Sequence, residues 1–145
     1  YYAKEILWPN AGLGPEDVDI TGSYDAFTFT TMLQLEDYGF CKKGEGGSYV
    51  SDGTIELGGK RPNNTSGGHL CEGYTHGMNM VSENTRQLRG DVHDKCPIGA
   101  DVRRKHSHDY SEGGCRQFNN VEVTANLGWA MPGTGSAMVM AKDHR

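Results

Sequence analysis

Apolar strand patterns stand towards the two ends of this chain, and helical patterns fill the space between them. Val18-Asp19-Ile20 and Val121-Glu122-Val123-Thr124-Ala125 alternate, and Ala137-Met138-Val139-Met140 is a short apolar run. From Asp25 or Ala26 to Tyr38 the pattern is helical, with Phe27, Leu33 and Leu35 among helix-tolerant residues and Gly39 as its stop. Thr75 to Leu88 is a further helix, with Met78, Val81, Thr85 and Leu88 at helical spacing and Gly90 closing it. Gly128 to Gly135 separates the last two strand patterns, which predicts a hairpin. At the start, Tyr1 to Ala11 is of helical composition, Gly12 to Gly14 ends it, and Pro15-Glu16-Asp17 forms a polar turn. The order strand, helix, loop, helix, strand, strand predicts an α/β fold: a mixed β-sheet packed with helices.

The 145 residues suffice for one domain, 1–145, around one core. With 35% hydrophobic residues and 21 glycines, that core is modest, and many positions serve turns or close backbone approach. Gly44 to Gly59 is expected to be loop, with Thr54-Ile55-Glu56-Leu57 as a short extended piece, and Pro62 to Gly68 is a turn. Asp91 to Asn119 has no period, so 91–119 is expected to be a long loop excursion within the domain.

A net charge of -5 and the lack of a basic helix weigh against nucleic acid and anionic membranes as partners. The run Arg103-Arg104-Lys105 is flanked by Asp101 and Asp109 and is expected to be a solvated loop. No stretch approaches the roughly 20 apolar residues of a membrane span. Tyr1 to Trp8 holds Lys4 and Glu5 and lacks an apolar centre, so an export signal is not expected. Cys41, Cys71, Cys96 and Cys115 are therefore expected to be reduced thiols in the cytoplasm. The chain starts at Tyr1-Tyr2 without Met, as a fragment, a processed chain or one piece of a split protein would.

His93-x-x-Cys96, His106-x-His108 and Cys115 are metal-ligand residue types, but their spacing is irregular where structural zinc wants two tight pairs. No metal is expected, and the excursion is assigned to a surface flap or a partner contact. The glycines at 133 and 135 do not form a phosphate loop, since no Lys-Ser or Lys-Thr pair follows.

Three segments resemble the thiolase superfamily. Ala11-Gly12-Leu13-Gly14-Pro15-Glu16-Asp17-Val18-Asp19 precedes Tyr24-Asp25-Ala26-Phe27, where thiolases read Asn-Glu-Ala-Phe. Asn64-Thr65-Ser66-Gly67-Gly68 precedes Glu72-Gly73-Tyr74-Thr75-His76-Gly77, where they read Gly-His-Pro-x-Gly. Gly128-Trp129-Ala130-Met131-Pro132-Gly133-Thr134-Gly135-Ser136-Ala137 matches their glycine-rich hairpin, which a Cys opens. The segments stand in the family's order and cover nearly all of the chain outside 91–119. The resemblance implies a thiolase-like C-terminal domain whose N-terminal half is not in this chain.

The departures fall on chemistry. Tyr24 replaces the family's Asn, Tyr74 its His, Thr75 its Pro and Trp129 its Cys. An indole can be neither the thiolate nor the base that Claisen chemistry needs. A phenol can pass a proton or donate to a developing oxyanion. The pattern is similar to that of the lipid-transfer-type aldolases that cleave steroid side chains. That likeness implies retro-aldol cleavage of a β-hydroxy steroid side-chain acyl-CoA to a keto steroid and propionyl-CoA, with Tyr24 and Tyr74 catalytic. His76, Gly67, Gly68 and Trp129 are the candidate substrate-binding residues. It also implies an N-terminal thiolase half, an OB-fold zinc-ribbon partner protein and a dimer of thiolase-like subunits, with no cofactor beyond the CoA of the substrate. Either tyrosine could instead be a packing residue, and Asp25 and Glu72 are expected to be helix-start charges. The rival functions are a sterol-carrier-type acyl-CoA acetyltransferase and a non-catalytic thiolase-like subunit.

Overall fold

A computed structural model describes residues 2–92, 117–130 and 134–143. Three strands form one mixed sheet in the order β1-β2-β3: β1 is Ile20–Ser23, β2 Val123–Ala130 and β3 Thr134–Ala141. β1 runs parallel to β2, from Ile20 opposite Thr124 to Ser23 opposite Leu127. β2 and β3 are antiparallel, from Val123 opposite Ala141 to Ala130 opposite Thr134. The helices are α1 (Tyr2–Ala11), α2 (Thr28–Asp37), α3 (Gly46–Ser51) and α4 (Met78–Arg89), with 3-10 turns at Pro15–Asp17 and Gly68–Leu70. The α/β architecture, the mixed sheet and the C-terminal hairpin are those the sequence predicts.

Two hydrophobic clusters hold the layers together. Val18, Leu35, Tyr38, Phe40, Ala125 and Leu127 pack beneath α2, with Leu7 and Trp8 of α1 against them. Ile20, Leu88 and Val121 form a second cluster towards α4, with Phe118 and Met140. Leu35 and Leu127 are almost wholly buried, and burying such a side chain stabilises by about 1.5–3 kcal/mol. The inward face of α4 is polar as well: Glu83, Asn84 and Gln87 are buried and hydrogen-bonded. Glu83 accepts from the Thr65 hydroxyl at 2.7 Å and from the Gln87 amide at 3.1 Å.

The element boundaries differ from the sequence expectation for local reasons. β1 starts at Ile20 rather than Val18, because Asp19 turns its carboxylate onto the next strand. Its Oδ2 accepts the N–H groups of Glu122 and Val123 at 2.8 and 2.9 Å. Strands β2 and β3 take in Gly128 and Gly135, which were expected to be loop. A Cβ on Gly128 would lie 2.9 Å from the carbonyl oxygen of Ser136, so glycine is what permits the close approach. α2 starts at Thr28, since Phe27 is extended (φ −143°, ψ 149°) and its N–H is taken by the Thr30 hydroxyl at 3.3 Å. α4 starts at Met78 and not at Thr75, because His76 (φ +49°) and Gly77 (φ +94°) are left-handed and cannot continue a helix.

The stretch Gly44 to Gly59 is not all loop, and Thr54–Leu57 is a turn and not a strand. Within it α3 docks through Gly46, whose N–H donates to Glu36 Oε1 at 2.9 Å. Its Tyr49 accepts from Arg61, whose Nε also donates to Val18 O at 2.8 Å and whose guanidinium lies 5.1 Å from the Phe40 ring centroid. Most of the excursion, 93–116, lies outside the described residues, and with it His93, Cys96, Arg103, His106, His108 and Cys115. Among the described residues no helix is long and apolar enough to cross a membrane.

Candidate active site

The corner after β1 carries Tyr24, and several bonds fix its backbone. Its N–H reaches Leu127 O at 2.9 Å and Gln34 Oε1 at 3.0 Å, and its carbonyl accepts Gln34 Nε2 at 2.7 Å. Gln34 is buried on α2. Tyr74 comes from the other side, on the loop between the Gly68–Leu70 turn and α4. The two phenol oxygens meet in a short hydrogen bond, with ring centroids 6.4 Å apart and planes at 66°. Fifty residues separate the two in sequence, so only the fold brings them together.

The pair raises the pKa of Tyr24 above the ordinary phenol value. The largest cause is the hydrogen bond with Tyr74, which holds the Tyr24 proton in place, followed by burial and then by the charges of Tyr74 and Asp25. Tyr24 therefore stays a neutral phenol at neutral pH, joined to Tyr74 by one hydrogen bond. One O–H is spent between them, and one O–H plus the remaining lone pairs face outward. Such a pair can take a proton at one oxygen while releasing one from the other.

A cleft of about 890 Å³ opens beside the pair, between the β2–β3 hairpin and the start of α4. Tyr24, Tyr74, His76 and Trp129 all line it, together with apolar groups such as Phe27 and Met78. The His76 ring lies 4.6 Å from that of Tyr74. The cleft is open on the Tyr74 side, where that residue is 59% exposed. Thus four of the six residues singled out from sequence share one space.

Gly67 and Gly68 do not line this cleft. Their left-handed backbone (φ +94° and +68°) forms the turn behind Tyr24. A Cβ on Gly68 would collide with the Asp25 carboxylate. That carboxylate accepts the backbone N–H of His69 at 3.0 Å, so Asp25 ties the 68–70 turn to the corner after β1. It is not the helix-start charge expected from sequence, because α2 begins three residues later.

Sequence reasoning missed Gln34, which pins Tyr24, and His69, which packs against both phenols. The His69 ring centroid lies 4.6 Å from Tyr24 and 5.1 Å from Tyr74. The signal was one His five residues before Tyr74 in a Gly-rich turn, which no periodicity marks. Asn126, at the cleft floor, was missed too; its Oδ1 accepts from Asn84 at 3.0 Å. Cys41 and Cys71 are free thiols. Burial, then Glu36 and Glu45, push the Cys41 thiol up, so it stays protonated and unreactive. Among the described residues no three His, Cys, Asp or Glu converge as a metal would need.

Comparison with known proteins identifies the family of the fold. The family model described as thiolase C-terminal domain-like matches residues 5–126. A protein of Mycobacterium tuberculosis named 17-hydroxy-3-oxo-4-pregnene-20-carboxyl-CoA lyase is 54% identical over 84 residues, 58% of this chain and 22% of that protein. A steroid side-chain-cleaving aldolase of Thermomonospora curvata is 45% identical over 102 residues, 62% of this chain and 26% of the aldolase. A solved structure titled Ltp2-ChsH2(DUF35) aldolase matches with a TM-score of 0.77 at 29% identity, over 99% of this chain and 32% of that chain. The chain thus spans about a fifth to a third of the length of these relatives.

Proposed function

The chain belongs to the thiolase C-terminal domain-like family, and from that premise we propose that it carries the proton-transfer half of a retro-aldol active site acting on a β-hydroxy steroid side-chain acyl-CoA. The observation that carries the reading is the Tyr24–Tyr74 phenol pair at the mouth of the cleft. The names of the two relatives above support the substrate class.

The proton balance of the reaction suits two hydrogen-bonded phenols. The β-hydroxyl gives its proton to one phenol oxygen as the C–C bond breaks. That bond's electron pair passes to the α-carbon and the thioester oxygen as an enolate. The first phenol hands its own proton along the short hydrogen bond, and the second delivers a proton to the α-carbon. One proton leaves oxygen and one reaches carbon, the products are a ketone and a propionyl thioester, and no oxidant or acyl-enzyme is needed. Nor does the step require a free tyrosinate, which the raised pKa of Tyr24 disfavours. Trp129 and the apolar wall at Phe27 and Met78 would hold the fused rings, and His76 would face the thioester. Gly67 and Gly68 would contribute by shaping the turn behind the pair.

The same reading assigns the chain companions: an N-terminal thiolase half, an OB-fold zinc-ribbon partner and a second thiolase-like subunit, working in the cytoplasm with no cofactor beyond substrate CoA. The open side of the cleft at Tyr74 leaves room for a wall supplied by such a companion.

The test is cleavage of a β-hydroxy steroid acyl-CoA by the protein with its co-purifying chains, wild type against Tyr74→Phe. Loss of about 10²–10⁴-fold in kcat with assembly intact is expected, the range for a positioned proton-transfer group. Equal rates would remove Tyr74 from the chemistry. No cleavage by either, with assembly intact, would favour a scaffold subunit.

A further inference from the structure

We infer that His69 is a positioning residue for the phenol pair, tuning the proton affinity of Tyr24 and Tyr74 from behind; this rests on the relay proposed above. Three observations converge on it. First, His69 is 7% exposed, and both its ring nitrogens are buried with no hydrogen-bond partner among the described residues. Leaving a buried polar group unpaired costs about 1–3 kcal/mol, and a hydrophobic residue of similar size would avoid that cost. Second, the ring packs against both phenols at once, 4.6 Å from Tyr24 and 5.1 Å from Tyr74 between centroids, with planes at 65° and 55°. Third, the backbone is bent to hold it there. Gly67 and Gly68 are left-handed, and the His69 N–H is clamped by Asp25 at 3.0 Å.

A neutral imidazole carries one N–H donor and one acceptor nitrogen. In the resting site one hydrogen bond joins the two phenols. During proton transfer one phenol oxygen gains negative character, and the imidazole dipole packed against both rings stabilises it there. The orphaned nitrogens are thus partners in waiting, used only as charge develops, which is where a preorganised dipole lowers a barrier most. The titratable groups against the ring are Tyr24 from the corner after β1 and Tyr74 from the loop before α4, with Asp25 on the His69 N–H, His76 beyond Tyr74 and Cys71 beside Gly67.

The experiment compares His69→Phe and His69→Gln in the protein with its co-purifying chains. Phe keeps the ring packing and removes the nitrogens; Gln restores a donor and an acceptor. His69→Phe is expected to lower kcat about tenfold with KM nearly unchanged and thermal stability kept or raised, and His69→Gln to recover part of the loss. Ultraviolet titration of tyrosine ionisation reads the coupling without substrate. The raised ionisation of Tyr24 should move up further, by about one pH unit, in His69→Phe. With His69 kept, its ring-nitrogen chemical shifts should respond to Tyr24→Phe, which covers the case of a His69→Phe protein that fails to assemble. Unchanged titration and unchanged shifts overturn the inference, as does wild-type kcat in His69→Phe. If wild type cleaves no steroid acyl-CoA, the proposed function falls, while the titration still decides whether His69 governs the pair.

Discussion

Gly68→Ala is the substitution whose cost can be worked most directly from the geometry. Residue 68 sits at φ +68°, where an L side chain costs about 1–2 kcal/mol. The added Cβ would also run into the Asp25 carboxylate, which must then move. Moving it breaks the 3.0 Å bond to the His69 N–H, and a hydrogen bond to a charged group contributes about 1.5–3 kcal/mol. The expected loss is therefore about 2.5–5 kcal/mol. Gly90→Ala is the reference, because Gly90 has nearly the same φ, +72°, and nothing within 4 Å of its Cβ position. It should cost only the backbone share, about 1–2 kcal/mol. The assay is chemical unfolding of both variants under one set of conditions, repeated in an Asp25→Ala background. There the carboxylate is gone, and the cost of Gly68→Ala should fall towards that of Gly90→Ala, keeping only the contact with Asn64 Nδ2, 3.0 Å from the added Cβ. Equal losses for the two glycines in the wild-type background would refute the role given to Asp25.

Two further outcomes follow from the same coordinates. Tyr24 should ionise above the ordinary phenol value of about 10, and Tyr74→Phe, by removing the largest cause, should bring it back down in a tyrosinate absorbance titration. Because the folded value is raised, its contribution to stability is present below the unfolded value and lost as pH rises through the folded one. Asp19→Asn weakens the charged acceptor that holds the Glu122 and Val123 N–H groups, so a loss of about 1–3 kcal/mol and faster hydrogen exchange at those two amides are expected.

Elements with strong periodicity or clear punctuation were legible in the sequence. The helix closed by Gly90 and the hairpin across Gly128 to Gly135 both form. α3 was not legible, because Gly46 and Gly47 at its start disguise a helix that tertiary contacts from Glu36 and Arg61 support. The start of α4 was misplaced because positive φ at His76 is set by context and leaves no mark on composition. In the site, Tyr24 and Tyr74 were visible because they replace residues at fixed places in a resemblance. Gln34 and His69 were not, because their importance lies in whom they touch across 10 and 45 residues of chain, from Gln34 to Tyr24 and from His69 to Tyr24.

The Asn64 side chain does for β1 what another strand would do. Its Oδ1 accepts the Ser23 N–H at 2.8 Å and its Nδ2 donates to the Ser23 carbonyl at 3.0 Å. On the same edge, Thr21 N–H meets Pro62 O at 3.0 Å and Thr21 O receives the Asn64 N–H at 2.9 Å. An unpaired strand edge is a template on which other chains can add and aggregate. Here a three-residue loop with a proline at its head occupies that template and stops short of being a strand itself. The sheet is closed to growth on the β1 side, so the strand that delivers Tyr24 is shielded from the edge-to-edge association that would bury the site in an aggregate.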